Sequence, residues 1–173
     1  MTGSSPCTEQ ILEWLHEVPD PEIPVISIMD LGIVRGVFFD GQEAIIEVTP
    51  TYSGCPATSF IELSIETHLR AKGIKHVQIK RRLSPAWTSE WLSTQARRKL
   101  KDFGIAPPKD GTAIKAPMQE RAGKLLGKAG YVVECPRCGS VRTERVSQFG
   151  STPCKAAYCC TDCLEPFDYF KCI

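Results

Sequence analysis

Two C-x-x-C pairs near the carboxyl end constrain the fold of this chain more than any other feature. The pairs are CPRC, at residues 135 to 138, and CTDC, at residues 160 to 163. They lie within residues 131 to 173, a stretch of 43 residues that holds seven of the nine cysteines. So few residues cannot build a sufficient hydrophobic core, and we therefore expect this stretch to need a metal ion to fold.

Zinc is the metal that this spacing predicts. Each pair can form a tight turn that points two thiolates at one ion, and Zn(II) accepts four thiolates in a tetrahedron. The expected ligands of this zinc ribbon are Cys135, Cys138, Cys160 and Cys163. One choice stays open, because a one-residue shift would let Cys159 replace Cys160. Redox dithiols and an iron site are the alternatives for the same pairs.

The distribution of apolar and basic residues predicts a cytoplasmic protein. No apolar run approaches the roughly 20 residues that cross a bilayer. The first basic residue is Arg35, so the basic start of a signal or transit peptide is missing. In a reducing compartment, nine cysteines favour metal binding or thiol chemistry over a disulfide framework. We expect Cys154 and Cys172, which the zinc site does not use, to be small buried side chains, and ligation of a second metal is the alternative.

The first hundred or so residues predict a separate fold. Apolar spacing indicates helices over residues 8 to 18, 57 to 72 and 88 to 103. Strands are predicted over residues 33 to 39, 44 to 49 and 75 to 82. The order helix, strand, strand, helix, strand gives a two-layer α+β domain, with both helices on one face of a small sheet.

Composition divides the chain into three parts. We expect an α+β domain over residues 1 to 105, a basic linker with Pro and Gly over 106 to 130, and the zinc ribbon over 131 to 173. Residues 97 to 128 hold nine basic and three acidic residues, a balance that is typical of a solvated surface and that also suits docking onto an acidic partner. No aromatic residues are interleaved there in the way that nucleic-acid binding favours, so we expect a protein partner instead.

A single cysteine between a predicted strand and a predicted helix is the second candidate site. In TPTYSGCPATS, Cys55 directly precedes Pro56, and proline suits the first turn of a helix, so we expect Cys55 at or next to the N-cap. Free amides and the helix dipole favour a thiolate there. Such a thiolate is a nucleophile or a soft ligand for iron or an iron–sulfur fragment, and an inert, buried cysteine is the alternative.

Oxygen ligands near Cys55 could extend this site. Asp20, Glu22 and Asp30 lie in the loop DPEIPVISIMDLG and would share a metal with the Cys55 sulfur if that loop packs beside it. Carboxylates in such loops more often cap helices or accept hydrogen bonds from turn amides. Thr51 adds a hydroxyl that either orients a bound ligand or forms the turn.

The combination of these motifs resembles known families. DPEIPVISIMDLGIV followed by TPTYSGCPA resembles the iron–sulfur assembly domain family typified by SufT. That domain joined to SPAWTSEWLS, GIAPP, CPRCGS, FGSTPCKA and EPFDYFKCI resembles the narrower PaaD family, accessory proteins of the phenylacetyl-CoA epoxidase (monooxygenase) system of phenylacetate catabolism. The resemblance implies a structural zinc ion and transient iron or cluster cargo. The cargo residues that it implies are Cys55, Thr51, Asp20, Glu22 and Asp30.

The same resemblance implies a function and partners. We expect a non-catalytic assembly factor that helps to mature an iron–sulfur or di-iron centre, with the oxygenase and reductase components and the iron–sulfur assembly machinery as partners. The sequence has one E-x-x-H, at residues 13 to 16, but not the two that a di-iron site needs, and it lacks a Gly-rich dinucleotide loop, so we expect no oxygenation by this chain. A non-catalytic integral subunit of the oxygenase complex is the alternative. A homodimer would bring two copies of Cys55 to one cluster.

Overall fold

A computed structural model of the chain describes residues 6 to 108 and 132 to 171. The chain folds as two units, Met1–Trp87 and Thr88–Ile173. The predicted basic linker lies almost wholly outside the described residues, as does Cys172. The predicted domain boundaries near residues 105 and 130 stay a prediction.

Five elements form the first unit. They are α1 (Thr8–Leu15), β1 (Val34–Asp40), β2 (Glu43–Val48), α2 (Thr58–Ala71) and β3 (His76–Arg81). This is the predicted order of helix, strand, strand, helix, strand. The sheet has the order β1-β2-β3, with β1 antiparallel and β3 parallel to β2. Parallel neighbours need a crossover connection, and α2 supplies it.

The helix α2 follows directly from its apolar spacing. Ile61, Ile65 and Leu69 recur every fourth residue and are buried. The chain leaves the helix at Gly73, whose φ of 99° lies in the left-handed region that glycine adopts without strain. Both ends of α2 therefore lie within a residue of their predicted positions.

Two other predicted helices are shorter than expected. Helix α1 ends three residues before the predicted position, because the Glu17 N–H donates to the Trp14 carbonyl at 3.0 Å in a tighter turn, and Pro19 disfavours the helical conformation in the residue before it. The helix predicted over residues 88 to 103 is instead a single 3₁₀ turn, Ser89–Trp91, followed by α3 (Thr94–Phe103). Ser93 separates the two, because its extended backbone and its side-chain cap start a new helix.

Alternation along the strands places one face of the first sheet in the core. Val37, Ile46 and Ile79 are aligned across the three strands. Val37 and Ile46 are buried, and Ile79 is half-buried because β3 is an edge strand. The half-buried edge strand predicted over residues 75 to 82 is thus confirmed.

The second unit contains α3 and a four-stranded sheet. Its strands are β4 (Ile105–Ala106), β5 (Thr143–Ser147), β6 (Lys155–Cys160) and β7 (Pro166–Phe170), in the order β4-β7-β6-β5. Cys135 and Cys160 belong to the small core of this unit, together with apolar residues such as Val133 and Tyr169. The cysteine cluster is therefore continuous with the core. Among the described residues, no helix is both long and apolar enough to cross a membrane.

Candidate metal centres

Four thiols of the second unit converge on one point. The sulfur atoms of Cys135, Cys138, Cys160 and Cys163 all lie within 4.8 Å of one another. Cys135 Sγ is 3.8 Å from Cys163 Sγ, and Cys138 Sγ is 3.6 Å from Cys160 Sγ. A tetrahedron with Zn–S bonds of about 2.3 Å has edges of about 3.8 Å. The donor set and its spacing therefore fit a structural zinc ion.

Cys159 does not belong to this cluster. Its Sγ is 3.8 Å from the carbonyl oxygen of Leu164 and 3.7 Å from that of Cys160. Adjacent residues of a strand point to opposite faces, so only one of the two neighbouring cysteines can face the other three thiols. The four-thiol cluster contains Cys160, which resolves the choice that the sequence left open.

Each C-x-x-C pair is held in a turn of the same form. In the first, the Gly139 N–H donates to the Cys135 carbonyl at 2.9 Å. The residue after the second cysteine has a positive φ in both turns, 75° at Gly139 and 61° at Leu164. Leucine is strained in this conformation, whereas glycine is not. The backbone requirement of the turn thus outweighs the preference of the side chain at Leu164.

Backbone amides and crowding separate the pKa values of the cluster thiols. The Cys163 amide and then the Asp162 amide donate to the Cys160 sulfur and lower its pKa to about 7. At Cys163 the Glu165 amide acts to lower the pKa, but burial and the neighbouring thiols outweigh it and raise the pKa to about 12. Zinc binds thiolates, so zinc binding releases protons and the affinity falls as pH falls.

Two loops leave the same end of the sheet in the first unit. Val34 at the start of β1 pairs with Val48 at the end of β2. The Thr49 N–H then donates to the Ile33 carbonyl at 2.8 Å. The loop before β1 therefore meets the loop after β2. The predicted cargo residues are distributed over these two loops, with Asp20, Glu22 and Asp30 in the first and Thr51 and Cys55 in the second.

Cys55 lies in a turn that precedes α2, and it is partly exposed. Its N–H donates to the Tyr52 carbonyl at 3.1 Å, and its own carbonyl accepts from the Thr58 N–H at 3.2 Å. The prediction that it stands at or next to the N-cap is wrong, because the N-cap is Ala57, two residues later. Pro56 occupies the turn that the bond between Cys55 and Thr58 closes, so the helix begins after it.

The two aspartates of the first loop are buried and bonded to turn amides. Asp20 Oδ1 accepts from the N–H groups of Glu22 and Ile23, at 2.9 and 2.8 Å. Asp30 Oδ2 accepts from the Ser27 N–H at 3.1 Å, and Ser27 Oγ accepts from the Asp30 N–H at 3.0 Å. These bonds match the structural alternative that the sequence offered. A metal-binding role for the two aspartates and Glu22 stays a prediction.

Two contacts that hold these loops were not predicted from the sequence. The buried Trp87 donates its Nε1–H to the Leu31 carbonyl at 2.8 Å and so holds the first loop. Thr49 Oγ1 donates to the Arg82 carbonyl at 2.8 Å and so holds the start of the second. Thr51, which follows Thr49 by two residues, is also buried. A tryptophan in a polar stretch, within SPAWTSEWLS, is the one sequence signal that could have pointed to such an anchor.

Comparisons with known proteins identify both units. Residues 119–171 match the model of the PaaD zinc beta ribbon domain, and residues 8–80 match that of an iron–sulfur cluster assembly protein. The chain is 45% identical over 172 residues to an Escherichia coli K12 protein that is named as one subunit of a "Putative 1,2-phenylacetyl-CoA epoxidase", covering 99% of this chain and 97% of that protein. The chain belongs to the PaaD family. The resemblance stated from the sequence motifs is thus confirmed.

Solved structures resemble about half of this PaaD-family chain. A domain of unknown function, DUF59, from Bacillus anthracis is 27% identical, with a TM-score of 0.50, and the match covers 54% of this chain and 90% of that one. A conserved hypothetical protein from Thermotoga maritima is also 27% identical, with a TM-score of 0.48, and covers 56% of this chain and 97% of its own. The first of these likenesses supports the α+β fold. The four clustered cysteines fall within the matched PaaD ribbon, and Cys55 falls within the matched assembly domain.

Proposed function

We propose that this PaaD-family chain is a non-catalytic accessory factor that helps to mature an iron–sulfur or di-iron centre of a phenylacetyl-CoA epoxidase system. In this proposal Cys55 holds iron or a cluster as transient cargo. The observation that carries it is a partly exposed thiol, in the loop that follows β2, inside a matched iron–sulfur assembly domain. Partial exposure matters because a recipient's ligand must reach the cargo.

Transfer then requires only ligand exchange. The Cys55 thiolate donates an electron pair to iron, and a ligand of the recipient displaces it, so the oxidation state of the cargo does not change and no co-reactant is needed. Thr51 and the carboxylates of Asp20, Glu22 and Asp30 would shape the loops around the cargo or complete its ligands. A second copy of the chain would supply a second Cys55 if one sulfur holds the cargo too weakly.

The proposed partners follow from the relative and from the matched domain. They are the oxygenase and reductase components of the epoxidase, which receive or use the centre, and the iron–sulfur assembly machinery, which supplies it. The predicted basic stretch would dock an acidic protein surface and not nucleic acid. The proposed location is the cytoplasm, where these partners would work.

Anaerobic purification followed by iron, sulfide and zinc analysis tests this proposal. We expect Cys55→Ala to lose the iron of the full chain and to keep its zinc, because the two sites lie in different units. Cys7→Ala is the matched control, because Cys7 is an exposed cysteine of the first unit that lies outside the two loops. Equal iron in wild type and Cys55→Ala would overturn the proposal.

An integral, non-catalytic subunit of the epoxidase is the second candidate. The name of the E. coli relative, which calls that protein a subunit, favours it. A subunit copurifies with the oxygenase at fixed stoichiometry, and its removal abolishes activity at once. An assembly factor, in contrast, can be removed from a mature epoxidase without loss of activity. Stripping the chain from the assembled, active enzyme therefore separates the two candidates.

A further inference from the structure

An acidic side chain inside the second C-x-x-C turn contacts the segment that follows the first turn. Asp162 lies between Cys160 and Cys163, and its Oδ1 forms an ion pair with Nη2 of Arg142. Its other carboxylate oxygen, Oδ2, accepts from Ser140 Oγ. Ser140 Oγ in turn accepts from the Arg142 N–H at 3.0 Å. One carboxylate thus connects the two turns that carry the four thiols.

Backbone contacts reinforce this connection. The Thr161 N–H and the Thr161 hydroxyl both donate to the Arg142 carbonyl, at 2.9 and 3.0 Å. These two bonds hold the second C-x-x-C turn against Arg142, in the segment that follows the first turn. Asp162 is therefore oriented toward Ser140 and Arg142 by these bonds to the backbone as well as by its own side-chain contacts.

We propose that Asp162, Ser140 and Arg142 form a clamp that positions the second C-x-x-C turn against the first and thereby raises the zinc affinity of the ribbon. The clamp residues touch no metal, so Asp162 is a positioning residue. Groups that hydrogen-bond directly to a metal ligand typically change metal affinity by 10- to 100-fold, and we expect a smaller effect from the clamp, which is largely exposed and acts through the backbone of the turn. Zinc binding would then depend on three residues other than the four cysteine ligands.

The sign of the charge makes this inference testable. Zn(II) with four thiolates carries a net negative charge, and the Asp162 carboxylate adds another negative charge beside it. If Asp162 acted only through its charge, removing that charge would tighten zinc binding. If Asp162 acts by positioning, removing its ion pair with Arg142 weakens zinc binding. The neutral variant Asp162→Asn separates the two, because it keeps the size of the side chain.

Zinc competition with a chromophoric chelator, on the full chain, measures the effect. We expect Asp162→Asn to bind zinc about two- to fivefold more weakly than wild type and Ser140→Ala to bind it about twofold more weakly, because the contacts of the clamp are largely exposed to solvent. Asp102→Asn is the matched control, since Asp102 forms an exposed ion pair with Arg98 on α3 and is not part of the clamp. Its zinc affinity should equal that of wild type.

A double variant distinguishes a clamp from a general loss of stability. The loss of zinc affinity in Ser140→Ala combined with Asp162→Ala should be smaller than the sum of the losses in the two single variants, because both changes remove the contact between Ser140 and Asp162. Cobalt(II) in place of zinc should keep the thiolate-to-metal absorption of four sulfur ligands in every variant, since no ligand is removed. Tighter or unchanged zinc binding in Asp162→Asn would overturn the proposal, as would fully additive losses or an equal loss in Asp102→Asn.

Discussion

Replacing Leu164 by glycine should stabilise the zinc ribbon. Leu164 has a φ of 61° and is 75% exposed, so its side chain is strained in the turn and buries little apolar surface. A non-glycine residue in this conformation costs about 1 to 2 kcal/mol. Glycine removes that cost but adds up to about 1 kcal/mol of unfolded-state entropy. The net expected gain is about 0.5 to 1 kcal/mol.

Zinc affinity is the assay for Leu164→Gly, because zinc binding and folding of a small metal module are coupled. A gain of about 0.5 to 1 kcal/mol tightens zinc binding by about two- to fivefold. Gly139→Ala is the mirror control, since Gly139 occupies the same position of the first turn with a φ of 75°. It should weaken zinc binding by a similar factor. Weaker binding in Leu164→Gly would refute the argument from backbone strain.

Three further predictions concern the loops, the helices and the metal. Trp87→Phe should destabilise the first unit by about 1 to 3 kcal/mol in urea unfolding, because it removes the buried donor to the Leu31 carbonyl; no change would show that water replaces the bond. The hydrogen bond from Lys72 lowers the pKa of Glu17 below its ordinary value of 4.5. The stability that this bond contributes is therefore present above the pKa of the unfolded chain and is lost as the pH falls through the pKa of the folded one. Glu17→Gln should remove this pH dependence from a profile of unfolding free energy at acidic pH. Chelator treatment should expose the four cluster thiols to alkylation that zinc otherwise blocks, whereas rapid labelling before chelation would favour a thiol oxidoreductase.

Local patterns were sufficient to predict the elements of the first unit. The fourfold spacing of Ile61, Ile65 and Leu69 and the stop at Gly73 specify α2 without reference to the rest of the fold. The spacing of the two C-x-x-C pairs likewise predicted the four cysteines whose sulfur atoms cluster in the structure. Both patterns are short-range consequences of backbone geometry, which a sequence displays directly.

Features that depend on a single cap, on the course of one turn or on strand register could not be predicted in this way. The Ser93 cap divides one apolar pattern into a 3₁₀ turn and a helix, and a polar residue in a helical pattern does not by itself predict a break. The turn around Pro56 displaces the start of α2 relative to Cys55. The connection of Asp162 to Ser140 spans 22 residues, and it depends on the register of β5 and β6, which pairs Thr143 with Cys160.

Transfer of labelled iron tests the central claim most directly. The full chain, loaded anaerobically with ⁵⁵Fe and sulfide, is mixed with iron-free oxygenase and reductase components, and the label in each component is counted after separation. We expect wild type to pass its label to one of the components and Cys55→Ser to pass none, while both proteins retain zinc. Equal transfer by the two proteins would show that Cys55 does not carry the cargo.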